Sequence, residues 1–260
     1  MLFWWWRDRR RRRILREPFP APWREWLEGN VAHYRRLDTL SQSRMRDLIQ
    51  VFVAEKHWEG LAGLVVTDEM RVSIAAMASL LILHSSDELN FDHMPSVLIY
   101  PNYFLARNLQ PDAAGVVTTT REAWLGEAWY RGPVILSWED VLLDVRPERR
   151  GCNVAVHEFA HQLDMLNGRF VDGIPPLPDT LPLEQWEAVM GAEYRRLVRR
   201  CRRGQRGLID CYGSQNAAEF FAVVTESFFE SPLALRADAP ELYTTLRQFY
   251  RLDPGNWGSD

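Results

Sequence analysis

The stretch CNVAVHEFAHQLDMLN, Cys152–Asn167, decides how the chain is read, and within it His157-Glu158-Phe159-Ala160-His161. Residues four apart on a helix sit about 40° apart around its axis, so His157 and His161 project from one face. Asp164 follows on that face, and Ala155, Phe159, Leu163 and Leu166 form an apolar stripe opposite it. Asn153 suits the N-cap and Gly168 the stop. Such a helix buries one side and offers two imidazoles from the other. Two histidines at i and i+4 with a glutamate after the first is the H-E-x-x-H pattern of zinc hydrolases. His157 and His161 are then candidate metal ligands, and Glu158 the base that handles the attacking water. Two histidines do not complete a catalytic zinc site, which takes three protein ligands and one open position.

Downstream, the Pro- and Gly-rich segment 169–182 reads as a stiffened loop, able to wall a cleft. A helix fits Leu183–Arg203, with an arginine-rich end that reads as a solvated face or a patch for an acidic partner. The next strong helix is Asn216–Glu230, with Phe221, Val224 and Phe228 on one side and Glu219, Glu226 and Glu230 on the other. Glu219 stands at the third helical position behind Asn216. It reads either as a capping-box glutamate or as the third metal donor.

Upstream, helical spacing predicts helices over Trp23–Leu37, Ser41–Lys56 and Asp68–His84, the last apolar enough for a core. Beyond Asp92 the texture turns β-like: Ser96–Tyr100, Val116–Thr120, Trp129–Tyr130 and Val134–Trp138. The expected fold class is α+β, helix-rich with a small mixed β-sheet, in three parts: a flexible Trp/Arg-rich segment over 1–21, a helical part over 22–94, and a catalytic part over 95–260. Val134–Ser137 is a candidate edge strand on which a peptide substrate could add as a further strand. His33, His57, His84 and His93 lack ligand spacing and read as ordinary histidines.

Length and composition suit one large or two small domains: 260 residues, 47% hydrophobic and 25% charged. The formal net charge of −4 argues against nucleic acid as the main ligand. Cys152, Cys201 and Cys211 show no C-x-x-C spacing and read as free thiols in a reducing compartment. No apolar run reaches the length of a membrane span. Leu2–Trp6 precedes its arginines instead of following them, unlike a signal peptide. Trp4-Trp5-Trp6 followed by Arg9–Arg13 reads as a frayed terminus or as a membrane-surface contact.

His157-Glu158-x-x-His161-x-x-Asp164, with Asp210-x-Tyr212 and Ala218-Glu219-x-Phe221-Ala222-Val223, resembles the Mlc titration factor A family of bacterial zinc peptidases. The likeness extends over most of the chain after Pro22, including Gly132-Pro133-Val134 and Gln248-Phe249-Tyr250. Tyr212-Gly-x-x-Asn216-x-x-Glu219-Phe-Phe-Ala is similar to the catalytic segment of anthrax lethal factor. The resemblance implies a zincin-like catalytic part with one Zn²⁺ held by His157, His161 and Glu219, Glu158 as catalytic base, and Tyr212 as a hydroxyl near the metal. It also implies a cytoplasmic protein and, from enterobacterial relatives, a link to the repressor Mlc. Asp164 is a candidate to hydrogen-bond a ligand histidine and fix its tautomer, and Glu226 a second candidate beside the ligands. Aminopeptidase-like removal of an N-terminal residue and internal cleavage both fit. So does a different class of function, a regulatory protein that sequesters a repressor around a structural or idle zinc site.

Overall fold

A computed structural model describes residues 2–85, 90–102, 132–145, 152–168 and 171–257. The N-terminal helices are α1 (Leu2–Ile14), α2 (Ala21–Asn30), α3 (Ala32–Arg36), α4 (Thr39–Glu55) and α5 (Asp68–Leu81). The single helix expected over Trp23–Leu37 is broken at Val31, which is extended at φ −101° and ψ 97°. Gly29 and Asn30, both poor helix formers, precede the break, and it lets the Ala32 N–H donate to Val145 O. α4 begins where Asp38 accepts from the Ser41 N–H, and α5 where Thr67 accepts from the Met70 N–H. Ile74, Ala75, Ala76, Met77 and Ala78 are all fully buried, so α5 is packed on every side, as its unbroken apolar run requires.

Residues 1–21, expected to be flexible, contain α1. Arg7 and Arg11 lie one turn apart on the same face; Arg7 bonds Asp92, and Arg11 bonds both Glu55 and Asp92. Gln50 donates to Ile14 O and Glu17 O at the other end. These contacts hold the helix on α4.

β1 (His57–Gly60), β2 (Ser96–Tyr100) and β3 (Val134–Ser137) form a sheet in the order β1-β2-β3. Both pairings are parallel, so the expected mixed sheet is a parallel one among the described strands. The connection explains the direction: α5 lies between β1 and β2, and parallel neighbours need such a crossover. β1 escaped sequence reading because four residues, His57-Trp58-Glu59-Gly60, carry too little apolar alternation. The strands expected at Val116–Thr120 and Trp129–Tyr130 lie outside the described residues.

β3 leads directly into α6 (Trp138–Asp144), and then comes α7 (Val154–Asp164), the helix of the two histidines. α7 packs against α5, β3 and α9 (Ala217–Glu230). Its apolar back places Phe159 5.7 Å from the Phe52 ring and 5.1 Å from the Phe91 ring. α8 (Leu183–Arg202), a 3₁₀ turn at Cys211–Ser214, α10 (Pro232–Asp238) and α11 (Pro240–Tyr250) complete the C-terminal part. The basic end of α8 is partly engaged: Arg196 pairs with Glu193 and Asp238, and Arg200 donates to Ile209 O. The free-thiol reading is corrected for two of the three cysteines. Cys201 and Cys211 form a disulfide that ties the end of α8 to the 3₁₀ turn, and Cys152 is exposed. Spacing gave no sign of it, because α8 ends and the chain doubles back between them.

Candidate metal centre

α7 starts where Asn153 accepts from the Val156 N–H, which fixes the helix phase four residues ahead of His157. α9 starts where Asn216 accepts from the Glu219 N–H. The two capped starts bring three donors together. His157 Nε2 lies 3.2 Å from His161 Nε2 and 3.0 Å from Glu219 Oε2, and His161 Nε2 lies 3.5 Å from that same oxygen. The Glu219 carboxylate therefore turns to the histidines and does not close a reciprocal capping box.

These distances suit a bound cation. Zinc at about 2.0–2.1 Å from tetrahedral donors sets donor–donor separations of about 3.3 Å, and the three observed values fall on either side of that. Two imidazoles and one carboxylate, each at most 7% exposed, converge as a group able to hold a metal ion. The charges also show the carboxylate's influence. Burial alone would lower the His157 pKa, but hydrogen bonds to Glu219 and Glu226 outweigh it and push it up to about 10. Burial raises Glu219, yet its bonds to His157 and His161 hold the carboxyl well below the usual carboxylate range.

His157 is gripped from both sides. Its Nδ1 lies 2.6 Å from Glu226 Oε1, while Glu226 Oε2 accepts from the Asn153 N–H at 2.7 Å. A bound metal ion would take the place of the Nε2 proton, and Glu226 would then keep the remaining ring proton on Nδ1. Asn153 also donates from Nδ2 to Glu230, whose Oε1 lies 3.2 Å from His33 Nε2. Glu226 and Glu230 thus lock the start of α7 onto α9. Asn153, Glu230 and the buried His33 were not singled out from sequence as parts of the site. The i, i+4 spacing of Glu226 and Glu230 on the polar side of α9 was the available signal.

Asp164 does not take the place expected of it. Its two oxygens accept from the Gly173 and Ile174 N–H groups at 2.8 and 2.9 Å, not from a histidine. The chain leaves α7 through a 3₁₀ turn at Met165–Asn167, and the returning loop presents backbone donors that need a buried acceptor. His161 Nδ1 is buried without a hydrogen-bond partner among the described residues. Burial pushes the Asp164 carboxyl up to about 7 against the pull of those N–H groups. Gly173 has φ +81°, and a Cβ there would meet Ala217 O at 2.6 Å, so the loop passes tightly under the start of α9.

Glu158 is half-buried on α7, next to His157. Tyr212 sits in the 3₁₀ turn, where Asp210 accepts from its N–H. Its hydroxyl lies 3.5 Å from Glu219 Oε1, a long contact, and its ring 5.9 Å from that of His157. The turn is fastened to α8 by the Cys201–Cys211 bridge and by Tyr194, which donates to Ser214 O. β3 is an outermost described strand and packs against α7.

Residues 3–251 match the family described as glucose-regulated metallo-peptidase M90. The chain belongs to this family. It is similar to protein slr2042 of Synechocystis sp. (strain ATCC 27184 / PCC 6803 / Kazusa), 34% identical over 93% of this chain and 88% of the relative. It is likewise similar to Mlc titration factor A of Serratia proteamaculans (strain 568), 31% identical over 84% of this chain and 82% of the relative. Mlc titration factor A of Yersinia pestis (strain Pestoides F) is 30% identical over 90% and 85%. The M90 chain is thus a metallopeptidase by family, and its His157, His161 and Glu219 form a group able to hold a metal ion. Among its described residues no helix is long and apolar enough to cross a membrane.

Proposed function

We propose that this M90 chain is a zinc-dependent peptidase in which His157, His161 and Glu219 hold one Zn²⁺, Glu158 is the general base and Tyr212 the oxyanion donor. The reading is carried by three buried donor atoms from two helices, spaced 3.0–3.5 Å apart, with a glutamate beside the first histidine. Zinc held by these three residues would supply Lewis acidity toward the scissile carbonyl and the attacking water. Glu158 accepts the proton of the attacking water and passes it to the leaving amine. Tyr212 donates its hydroxyl hydrogen to the oxygen of the tetrahedral adduct. Glu226 keeps the His157 proton on Nδ1, so that Nε2 stays available throughout. The peptide lies along β3, backbone to backbone, which orients its carbonyl toward α7.

The substrate is a peptide or protein, cut in an aminopeptidase-like manner, and the protein works in the cytoplasm. Disulfides persist mainly in oxidising compartments, so thiol trapping in intact cells checks that location: reduced Cys201 and Cys211 support it, and a persistent bridge opposes it. A peptide-library digest read by mass spectrometry, with wild type and Glu158→Gln, tests the chemistry. Cleavage lost in the variant at unchanged zinc content is expected. Cuts inside peptides would replace the aminopeptidase reading with an endopeptidase one. A zinc-loaded Glu158→Gln protein that cleaves as well as wild type would refute the mechanism. The second reading, a protein that sequesters a transcription repressor around an idle zinc site, is favoured by one observation: two relatives bear the name Mlc titration factor A. Repressor binding without any peptide turnover would select it.

A further inference from the structure

α1 carries two sets of side chains with different destinations. Arg7 and Arg11 face the body of the protein and are spent on Asp92 and Glu55, while Arg10 donates to Ala54 O. At 100° per residue, Trp5, Trp6, Arg9, Arg12 and Arg13 all fall within a sector of about 120° on the opposite side. That sector contains no acidic residue; Asp8 lies outside it. Trp5 and Trp6 are 49% and 62% exposed, and their rings meet edge to face at 5.5 Å. The Arg9 guanidinium lies 5.3 Å from the centre of the Trp5 ring. Among the described residues, no carboxylate pairs with Arg9, Arg12 or Arg13.

We infer that the outer face of α1 docks on an anionic lipid bilayer, reversibly, with the helix axis lying in the plane of the headgroups. The protein as a whole is acidic, with a formal net charge of −4, so this cationic strip is a local feature and repels nothing that is itself negative at close range. A helix held by one side on the protein body presents a convex, exposed face, which fits a broad surface better than it fits a groove. Paired exposed tryptophans suit the water–lipid boundary, where an indole buries its ring and keeps its N–H among polar groups. The arginines beside them reach lipid phosphates. Three uncompensated cations and two tryptophans give a contact led by electrostatics and too weak to be permanent, as expected of an amphipathic helix without a lipid anchor. Because Arg7 and Arg11 fix the opposite face, docking would bring the body of the peptidase to the surface through α4 and not through the metal centre.

The test is co-sedimentation of the full chain with vesicles of phosphatidylcholine alone and of phosphatidylcholine mixed with phosphatidylglycerol. Binding to the mixed vesicles only is expected. It should fade between about 0.1 M and about 1 M salt, as the screening length falls from about 10 Å to about 3 Å. Arg9→Gln, Arg12→Gln and Arg13→Gln should each weaken it about fivefold. Trp5→Ala with Trp6→Ala should weaken it more than about tenfold. All these positions are exposed, so circular dichroism and peptide turnover should match wild type. No sedimentation with anionic vesicles, equal sedimentation with neutral ones, or unchanged sedimentation of the triple arginine variant would overturn the inference. Tighter retention of a single-stranded DNA oligomer than of anionic vesicles at the same salt would also overturn it, in favour of a nucleic-acid face.

Discussion

Replacing Glu226 by Gln is the most informative single perturbation of the metal centre, because it keeps the side chain's shape and removes one acceptor. In the structure two donors converge on two oxygens, His157 Nδ1 at 2.6 Å and the Asn153 N–H at 2.7 Å. Both are short, as charge-assisted hydrogen bonds are. A glutamine offers one acceptor oxygen and one NH₂. The Asn153 N–H can only donate, so it claims the oxygen and leaves the NH₂ facing His157. Nδ1 must then accept, the ring proton moves to Nε2, and the nitrogen that faces Glu219 and His161 loses its lone pair. The reverse orientation saves the tautomer but sets NH₂ against N–H and strands a buried donor, at a cost of about 1–3 kcal/mol. Either way, zinc affinity should fall about 10- to 100-fold, the usual effect of losing a partner behind a ligand histidine. The melting temperature should fall by about 2–4 °C per kcal/mol lost in a chain of this size. Chelator competition measures the first quantity and a thermal melt the second. A Glu226→Gln protein that binds zinc within a factor of two of wild type and melts unchanged would show that the carboxylate merely neighbours His157.

Glu219→Ala should lose zinc first and turnover as a consequence, so elemental analysis and peptide cleavage should fall together; full zinc content in this variant would remove Glu219 from the ligand set. Tyr212→Phe should keep zinc and lower kcat by about 10²–10³, the cost of a lost oxyanion donor, whereas a change confined to KM would mean that the hydroxyl contacts substrate without meeting the developing charge. Asp164 should give the protein a pH-dependent stability. Its folded-state pKa is raised from 3.8 to about 7, so the folded protein holds this proton more tightly than the unfolded chain does. The contribution is present below pH 3.8 and is lost as pH rises through about 7. Urea midpoints of wild type should therefore drop across that window relative to Asp164→Asn, and parallel curves for the two proteins would contradict the assignment.

Helix periodicity made much of this architecture legible. α4, α5, α8 and α9 follow the apolar spacing of their sequences to within a few residues, because each buries a stripe against a neighbour. β2 and β3 announce themselves by β-branched and apolar residues between prolines and glycines. The pairing of Cys201 with Cys211 was not legible, since it depends on how the chain folds back after α8. The site was legible as faces and not as partners. Asp164 and Glu226 were both acidic residues on plausible faces, and a helical wheel ranks the nearer one first. The structure assigns them the other way, and local backbone chemistry explains it. Asp164 ends α7, where the chain must turn back, and the N–H groups of Gly173 and Ile174 arrive at that point, the first buried and the second shared with Asp172 Oδ1. A carboxylate within reach satisfies them before any imidazole can compete. Glu226 lies in the middle of α9, where every backbone N–H is already bonded within the helix, so its oxygens are free for α7. It stands seven residues after Glu219, two turns along the same face. An imidazole lying across that face meets one glutamate at Nε2 and the other at Nδ1, which is the arrangement of His157. The i, i+7 pair of glutamates on α9 is thus the sequence counterpart of the i, i+4 pair of histidines on α7: one spacing sets two carboxylates at opposite ends of one ring, and the other sets two imidazoles side by side.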